Sequence, residues 1–367
     1  MQALILAGGE GTRLRPLTST MPKPVVPLVG RPFISYMLEW LHSHGVDDVI
    51  LSCGFMADAV RDVLGDGSEL GIRLRYLEEP EPLGTGGALK YAEDLLAERF
   101  YMLNGDVLTD IDLTQQLAQH EQTGARATLA LIPVEDPSAY GLVRRREDLS
   151  VREFLEKPGS DHLDTNLINA GAYIIERDVL AEMPPAGSNV SIERQVFPAL
   201  VGRGLFGYEA SGYWLDIGTP ARYLQATFDI LEGNVMTEVG RQLGASGLAL
   251  VDGAQIDGRV VAPALVAQDC VVGARAIVGG RTVLGRGVTV AEGAHVESSV
   301  LLDGASVGMR ATVSSSIIGP QVSIGAGCHI GGGVVLGENV KLGPDNILAA
   351  GARIFPGVEL PPGAIKF

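Results

Sequence analysis

The sequence predicts an α/β half built on a mostly parallel mixed sheet covered by helices, followed by an all-β parallel solenoid. Three observations carry that expectation. Short aliphatic runs alternate with helical patterns over residues 1–232, whereas from Val260 onward an aliphatic residue recurs every six positions. Composition also shifts, since the second half is rich in glycine, valine and isoleucine and nearly free of aromatics. The expected division is an α/β domain over 1–232, a linker over 233–255 and the solenoid over 256–360.

In chain order, strands are expected at 3–7, 48–52, 73–77, 100–103, 127–132 and 172–175. Between the first two, residues 33–44 carry Ile34, Met37, Leu38 and Leu41 at helical spacing and stop at Gly45, a natural C-terminal cap. A second helix is expected over 85–98, and a third from Pro220 to about Leu231, with Thr219 as N-cap and proline in the first turn. Strands alternating with helices imply a mostly parallel sheet, in which ligands bind where strands end and loops begin.

The six-residue beat runs through Val260, Val266, Val272, Val278, Leu284, Val290, Val296 and Leu302, then resumes from Ile318 through Ile324, Ile330, Leu336, Leu342, Leu348 and Ile354. The following residue is usually small, as at Gly273, Gly285, Gly325 and Gly343. A period of six fits neither a helix nor an ordinary strand; it fits short strands that turn a corner and stack. Fifteen beats at three strands per coil predict five coils, and the sixteen-residue step from Leu302 to Ile318 predicts a loop or bulge near 308–315. The pattern resembles the hexapeptide-repeat, left-handed parallel β-helix, and the hand comes from that resemblance.

Charge and cysteine content narrow the function. Lys+Arg 28 against Asp+Glu 44 gives −16, so a nucleic-acid partner would need a strong local basic patch, and none is expected. Cys53, Cys270 and Cys328 lie too far apart for a Cys-x-x-Cys metal or redox motif, which points to reduced thiols. No apolar run approaches the roughly 20 residues of a membrane-spanning helix, and the run 3–7 lacks the flanks of a signal peptide. The expectation is a cytoplasmic protein with no membrane partner.

The chemistry concentrates in three places. Leu6-Ala7-Gly8-Gly9-Glu10-Gly11-Thr12-Arg13-Leu14-Arg15-Pro16 follows the first strand; its glycines let backbone N–H groups approach an anion, and two arginines stand by to neutralise it. It is neither a Walker loop nor the dinucleotide fingerprint, which needs glycine where Leu14 stands; its other reading is a tight turn. Next, Pro22-Lys23-Pro24 holds one lysine in a segment expected to be extended, or simply shows a surface lysine in a turn. Asp106, in Asn104-Gly105-Asp106, and Asp216, just before the Thr219 cap, are either turn residues or, with phosphate oxygens, the hard oxygen ligands that Mg²⁺ prefers.

Eight ordered motifs then carry a resemblance: Gly-Gly-x-Gly-Thr-Arg-Leu-x-Pro-Leu-Thr, Pro-Lys-Pro, Glu-Pro-Leu-Gly-Thr-x-Gly-Ala-Leu, Asn-Gly-Asp, Tyr-Gly, Glu-Lys-Pro, Asn-Ala-Gly and Trp-x-Asp-Ile-Gly-Thr-Pro. Over residues 1–232 the chain resembles the sugar-1-phosphate nucleotidyltransferases, most of all those acting on mannose 1-phosphate with GTP, and hexapeptide repeats also occur in that family. The resemblance implies a Rossmann-like sheet. It assigns Leu6, Ala7, Gly8, Gly9, Gly11, Thr12 and Arg13 to the nucleotide and its phosphates, and Lys23 to the triphosphate. Glu79, Pro82 and Gly84 border the base, with Gly87 nearby, and Asp106 and Asp216 hold Mg²⁺. Gly141, Glu156, Asn169 and Gly171 hold the sugar, and Lys157 its phosphate. One departure is Gly86, where relatives commonly carry alanine; a looser base loop is expected from it.

The implied reaction joins a nucleoside triphosphate, GTP in preference, to a hexose 1-phosphate, with Arg13, Lys23 and Asp106 as the catalytic set. Glu79 favours guanine, because a carboxylate accepts both of that base's adjacent donors; its other reading, in a Glu-Glu-Pro-Glu run, is a solvated surface charge. Alternatives are a thymidylyl- or uridylyltransferase using glucose 1-phosphate, a hexapeptide-repeat acyltransferase served by His295 or His329, and a non-catalytic regulatory subunit. The solenoid also suggests a homo-oligomer.

Overall fold

Aliphatic side chains fill Gln2–Leu6, Asp48–Cys53 and Arg99–Asn104 on both faces, the pattern of strands with helices packed on each side. The computed structural model describes residues 1–156, 165–251 and 253–366. In it these three strands lie parallel with Gln2–Leu6 at the centre, and Arg73–Glu78 extends the same run. Leu167–Glu176 pairs antiparallel with Arg99–Asn104 and with Ala127–Pro133, and the hairpin of Gly141–Arg145 and Val151–Glu156 completes that edge. The nine-stranded sheet is therefore mixed, parallel through its N-terminal strands and antiparallel where Leu167–Glu176 enters.

Helices Phe33–Ser43, Ala57–Leu64, Gly84–Tyr91 and Leu113–Thr123 connect the strands. The helix expected over 85–98 ends at Tyr91, and a single 3₁₀ turn, Glu93–Leu95, leads into the next strand. Arg144–Arg146 is the one basic run. Arg144 pairs with Glu153 and Arg145 with Glu209, so two of its three charges are matched by carboxylates. No helix among the described residues is long and apolar enough to cross a membrane.

The chain divides into two compact units, residues 1–10 with 34–214, and residues 11–33 with 215–367. The sheet belongs to the first. In the second, twenty short strands from Leu248 to Leu360 form three parallel sheets of seven, seven and six, consistent with a left-handed β-helix. Twenty strands at three per coil make nearly seven coils instead of five: two strands precede the regular beat, two lie inside the step from Leu302 to Ile318, and one follows Ile354. Residues 233–255 hold the helix Glu238–Leu243 and the first solenoid strand, Leu248–Leu250.

No loop interrupts the stack near 308–315; Ser306–Val307 and Thr312–Ser314 are ordinary strands there. The inward residues run Val296, Leu301, Val307, Val313 and Ile318, so the slip divides into two five-residue steps. A serine pair tightens each corner. Ser298 and Ser315 take φ of 47 and 45°, while the Ser299 and Ser316 hydroxyls each donate at 2.7 Å to the carbonyl two residues back. The Ser316 N–H in turn donates to the Ser299 oxygen at 3.0 Å, stacking one corner on the other.

The small residue after each beat answers to packing and not to backbone twist. A Cβ on Gly325 would lie 2.5 Å from the Pro344 nitrogen and 2.6 Å from the Gly343 carbonyl carbon of the next coil. The left-handed corner comes two residues later, where Arg275, Gly287, Asn339 and Asp345 take φ of 57 to 65°. Gly325→Ala should therefore cost about 2 kcal/mol of stability through overpacking, whereas Gly287→Asn should cost less than about 1 kcal/mol because asparagine tolerates that φ. Urea unfolding of the two variants checks the difference; equal losses would show that twist, not contact, selects glycine at 325.

Candidate active site

Register brings the first unit's site residues level at the carboxyl ends of the parallel strands. Leu6 pairs with Ser52 on one side and Asn104 on the other. The Ala7 N–H donates to the Ser52 carbonyl at 2.8 Å and the Gly105 N–H to the Leu6 carbonyl at 2.9 Å, so the glycine loop leaves the sheet between two neighbours. A Cβ on Gly8 would lie 3.0 Å from the Glu79 Oε1, which is why the loop can pass so close to that carboxylate. Glu79 is not a freely solvated charge. The Ser52 hydroxyl donates to its Oε1 at 2.8 Å, and the Leu83 N–H makes a long contact of 3.4 Å with its Oε2.

The segment 82–87 is stitched to residues 189–193. Asn189 Nδ2 donates to the Pro82 carbonyl at 3.0 Å, the Thr85 hydroxyl to Glu193 at 2.8 Å, and the Gly86 N–H to the Val190 carbonyl at 2.8 Å. Gly86 does not loosen this loop as expected. A Cβ there would stand 2.8 Å from the Val190 Cγ1, and at Gly87 2.4 Å from the Ser188 carbonyl, so these glycines permit close packing.

Of the residues assigned to the sugar, Gly141 and Glu156 form a register pair, and a Cβ on Gly141 would lie 2.8 Å from the Glu156 Oε2. Asn169 and Gly171 sit at an irregularity of one strand; the Asn169 side chain accepts the Gly171 N–H at 3.2 Å and donates to the Tyr173 hydroxyl at 2.8 Å. Burial first, then the Glu193 carboxylate, pushes the Tyr173 phenol well above its ordinary pKa, so it stays neutral. The Asn104 carboxamide packs against Gly171 with a buried Oδ1 that has no hydrogen-bond partner among the described residues. Trp214 Nε1 donates to the Ala170 carbonyl at 2.8 Å, and Tyr140 meets the Trp214 ring edge-on at 5.4 Å. Lys157 lies outside the described residues. Asp106 is half-buried in the turn after Asn104.

The second unit gathers the cationic residues. Gly11 takes φ 62°, accepts the Thr18 hydroxyl at 2.8 Å, and leaves room for Lys23, whose Cβ would lie 3.2 Å from a Cβ on Gly11. The extended segment expected around Lys23 ends at Pro22; Lys23–Val25 closes a 3₁₀ turn, since Pro24 has a compatible φ and no N–H is needed in a first turn. The Arg13 guanidinium lies against the Gly218 backbone, where a Cβ would come within 2.8 Å of its Nη2. Two residues earlier, Asp216 faces Arg222 Nη1 at 3.5 Å, and the Thr219 hydroxyl caps the helix that follows.

Asp106 and Asp216 each carry hard carboxylate oxygens of the kind that a divalent cation accepts. Among the described residues no group of three or more His, Cys, Asp or Glu could hold a metal ion by itself. His295 and His329 lie two coils apart on one outer solenoid face, His329 against the Thr312 hydroxyl at 2.9 Å and His295 near Glu297 at 3.4 Å. Ser52, Asn104 and Gly218 were not singled out by sequence. Asn104 and Gly218 stand inside recognised motifs, but Ser52 has no signal beyond its place at a strand end.

A glycine loop at the end of a central parallel strand, beside a fixed carboxylate, defines a nucleotide-handling α/β protein. The chain belongs to the nucleotidyl transferase family, whose model matches residues 2–233, and residues 260–361 match the model of the GMPPB C-terminal domain. It is 40% identical over 372 residues to a mannose-1-phosphate guanylyltransferase of Mycobacterium tuberculosis, covering 100% of this chain and 98% of that one. A probable mannose-1-phosphate guanylyltransferase of Oryza sativa is 36% identical, covering 87% and 86%. The crystal structure of HddC from Yersinia pseudotuberculosis complexed with GMP-PN superposes with a TM-score of 0.53 at 29% identity, covering 61% of this chain and 97% of that one. The family works with a divalent metal.

Gly218→Ala should displace the Arg13 guanidinium and weaken pyrophosphate binding by roughly tenfold. Calorimetric titration, with a thermal midpoint close to wild type, checks this; unchanged affinity would remove Arg13 from the anion site.

Proposed function

We propose that the chain transfers a guanylyl group from GTP to mannose 1-phosphate, giving GDP-mannose and pyrophosphate. The observation that supports the base choice is the Glu79 carboxylate, held by the Ser52 hydroxyl beside Gly8, since a carboxylate can accept guanine's two adjacent donors. The names of the full-length relatives support the choice of sugar.

A sugar 1-phosphate is already an ionised nucleophile, so no general base is required; the obstacle is bringing one anion onto the phosphorus of another. Arg13 and Lys23 would neutralise the triphosphate, and Lys157 the sugar phosphate. Asp106 and Asp216 would hold Mg²⁺, which when bound supplies further charge neutralisation on the phosphate oxygens. Glu156, Asn169 and the backbone at Gly141 and Gly171 would orient the sugar, so that its phosphate oxygen bonds to the α-phosphorus as the α–β phosphoanhydride bond breaks. The leaving pyrophosphate carries away the charge that Arg13 and Lys23 have shielded.

Three buried, unpaired thiols support a reducing, cytoplasmic setting. A solenoid whose apolar interior needs capping at its ends supports a homo-oligomer.

Lys23→Ala and Asp106→Asn should each lower turnover by about a thousandfold or more while leaving the fold intact. Pyrophosphate release measures it, and near-normal turnover in either variant would overturn that residue's role. Substrate identity is read from a matrix of GTP, dTTP, UTP, ATP and CTP against mannose 1-phosphate and glucose 1-phosphate. In the same matrix Glu79→Gln should lower the preference for GTP over dTTP by about tenfold or more, as loss of a paired acceptor does; an unchanged preference would place base selection elsewhere.

A further inference from the structure

One outer row of the solenoid differs from the other two. Val283, Val300, Ile317, Val335 and Arg353 stack in register on the first face, and the four aliphatic members are at most 2% exposed. The corresponding rows of the other faces hold residues such as Thr289, Ser323, Lys341 and Glu359, or Arg259, Ile277 and His329, all exposed. A solenoid that only supported itself would have no reason to bury outward-pointing valines on one side. The unit that holds this face also contains residues 11–33 and 215–243. Leu265, in the same outward register, lies 3.8 Å from where a Cβ on Gly30 would stand.

Arg353 ends this row, and its Nη1 donates to two main-chain oxygens of the anion-binding loop, the Arg15 carbonyl at 3.0 Å and the Arg13 carbonyl at 3.3 Å. Between those carbonyls Leu14 is buried, and the turn is closed by the Leu14 N–H to the Gly11 carbonyl and the Arg15 N–H to the Thr12 carbonyl. A turn of three residues has few internal bonds to define it. A charged donor that grips the carbonyl on each side of Leu14 fixes the backbone from which the Arg13 side chain departs toward Gly218.

We propose that Arg353, in the seventh and last strand of its solenoid sheet, is a positioning residue for the loop 11–15. The solenoid is thereby part of the transfer machinery and not only an assembly device. This rests on the proposed nucleotidyl transfer for its kinetic consequence, but not for its structural one.

The test uses the full chain as wild type, Arg353→Ala and Arg353→Lys. Hydrogen exchange without ligand should show the Leu14 and Arg15 amides exchanging about tenfold faster in Arg353→Ala, with solenoid amides such as Gly319 unchanged and the lysine variant in between. In pyrophosphate-release kinetics, KM for GTP should rise about tenfold in Arg353→Ala, with KM for mannose 1-phosphate within about twofold of wild type. Loop exchange unchanged in a folded Arg353→Ala overturns the proposal, as does faster exchange spread evenly over the solenoid, which would indicate a general structural role. Should the alanine variant fail to fold, Arg353→Lys decides: wild-type loop exchange together with wild-type KM for GTP overturns it. A wild-type chain that releases no pyrophosphate with any substrate pair sinks the proposed reaction, while the exchange measurement still judges the loop.

Discussion

The register that sets Leu6 level with both Ser52 and Asn104 is the constraint on which the first unit's site depends. Parallel strands end on the same side of a sheet, so three short segments distant in sequence deliver a glycine loop, a hydroxyl and a carboxamide to one edge. A slip of one residue along Gln2–Leu6 would turn its side chains to the opposite faces and carry the loop away from Glu79. The buried aliphatic residues Ala3, Leu4 and Ile5 forbid that slip, because each would exchange its packed environment for another's. The strand ends are thus held level by buried hydrophobic side chains.

Glycine does two different jobs in this chain. In the solenoid most post-beat glycines exist so that the backbone of the next coil can approach, and any Cβ would press against main-chain atoms that cannot yield. At Gly11 and Gly171 the backbone is left-handed, and here close neighbours add to the demand, Lys23 and Thr18 around the first, Asn104 around the second. Composition alone cannot separate these cases. Only the neighbouring backbone distinguishes a glycine chosen for twist from one chosen for space.

Much of the architecture was legible in the residues because it rests on local periodicity. The central strands stand within a residue or two of expectation, and the helices starting at Phe33 and Pro220 carry the capping residues that announced them. The hairpin Gly141–Arg145 and Val151–Glu156 was hidden by its charges: Arg144, Arg145 and Glu153 pair with carboxylates or arginines across the sheet, so polar residues stand where alternation would show apolar ones. The solenoid's two shortened steps were read as one loop because Leu302, which is also buried, keeps the beat one step longer than the true inward residue, Leu301. At the site, the motif residues were identified by type and order, whereas Ser52 and Arg353 were not, since their roles arise from pairing across 27 and 338 or more positions of sequence.

Segment 11–33 shares its compact unit with the solenoid, although over two hundred residues separate them. Its Leu14, Leu17, Val26, Leu28 and Val29 are all buried there. The tandem repeats therefore look like a detachable cassette in the linear sequence without being one in space. Genetic exchange that grafted a foreign repeat array after residue 232 would have to reproduce a matching apolar seam as well as the repeat period, which restricts such shuffling to donors of closely related ancestry.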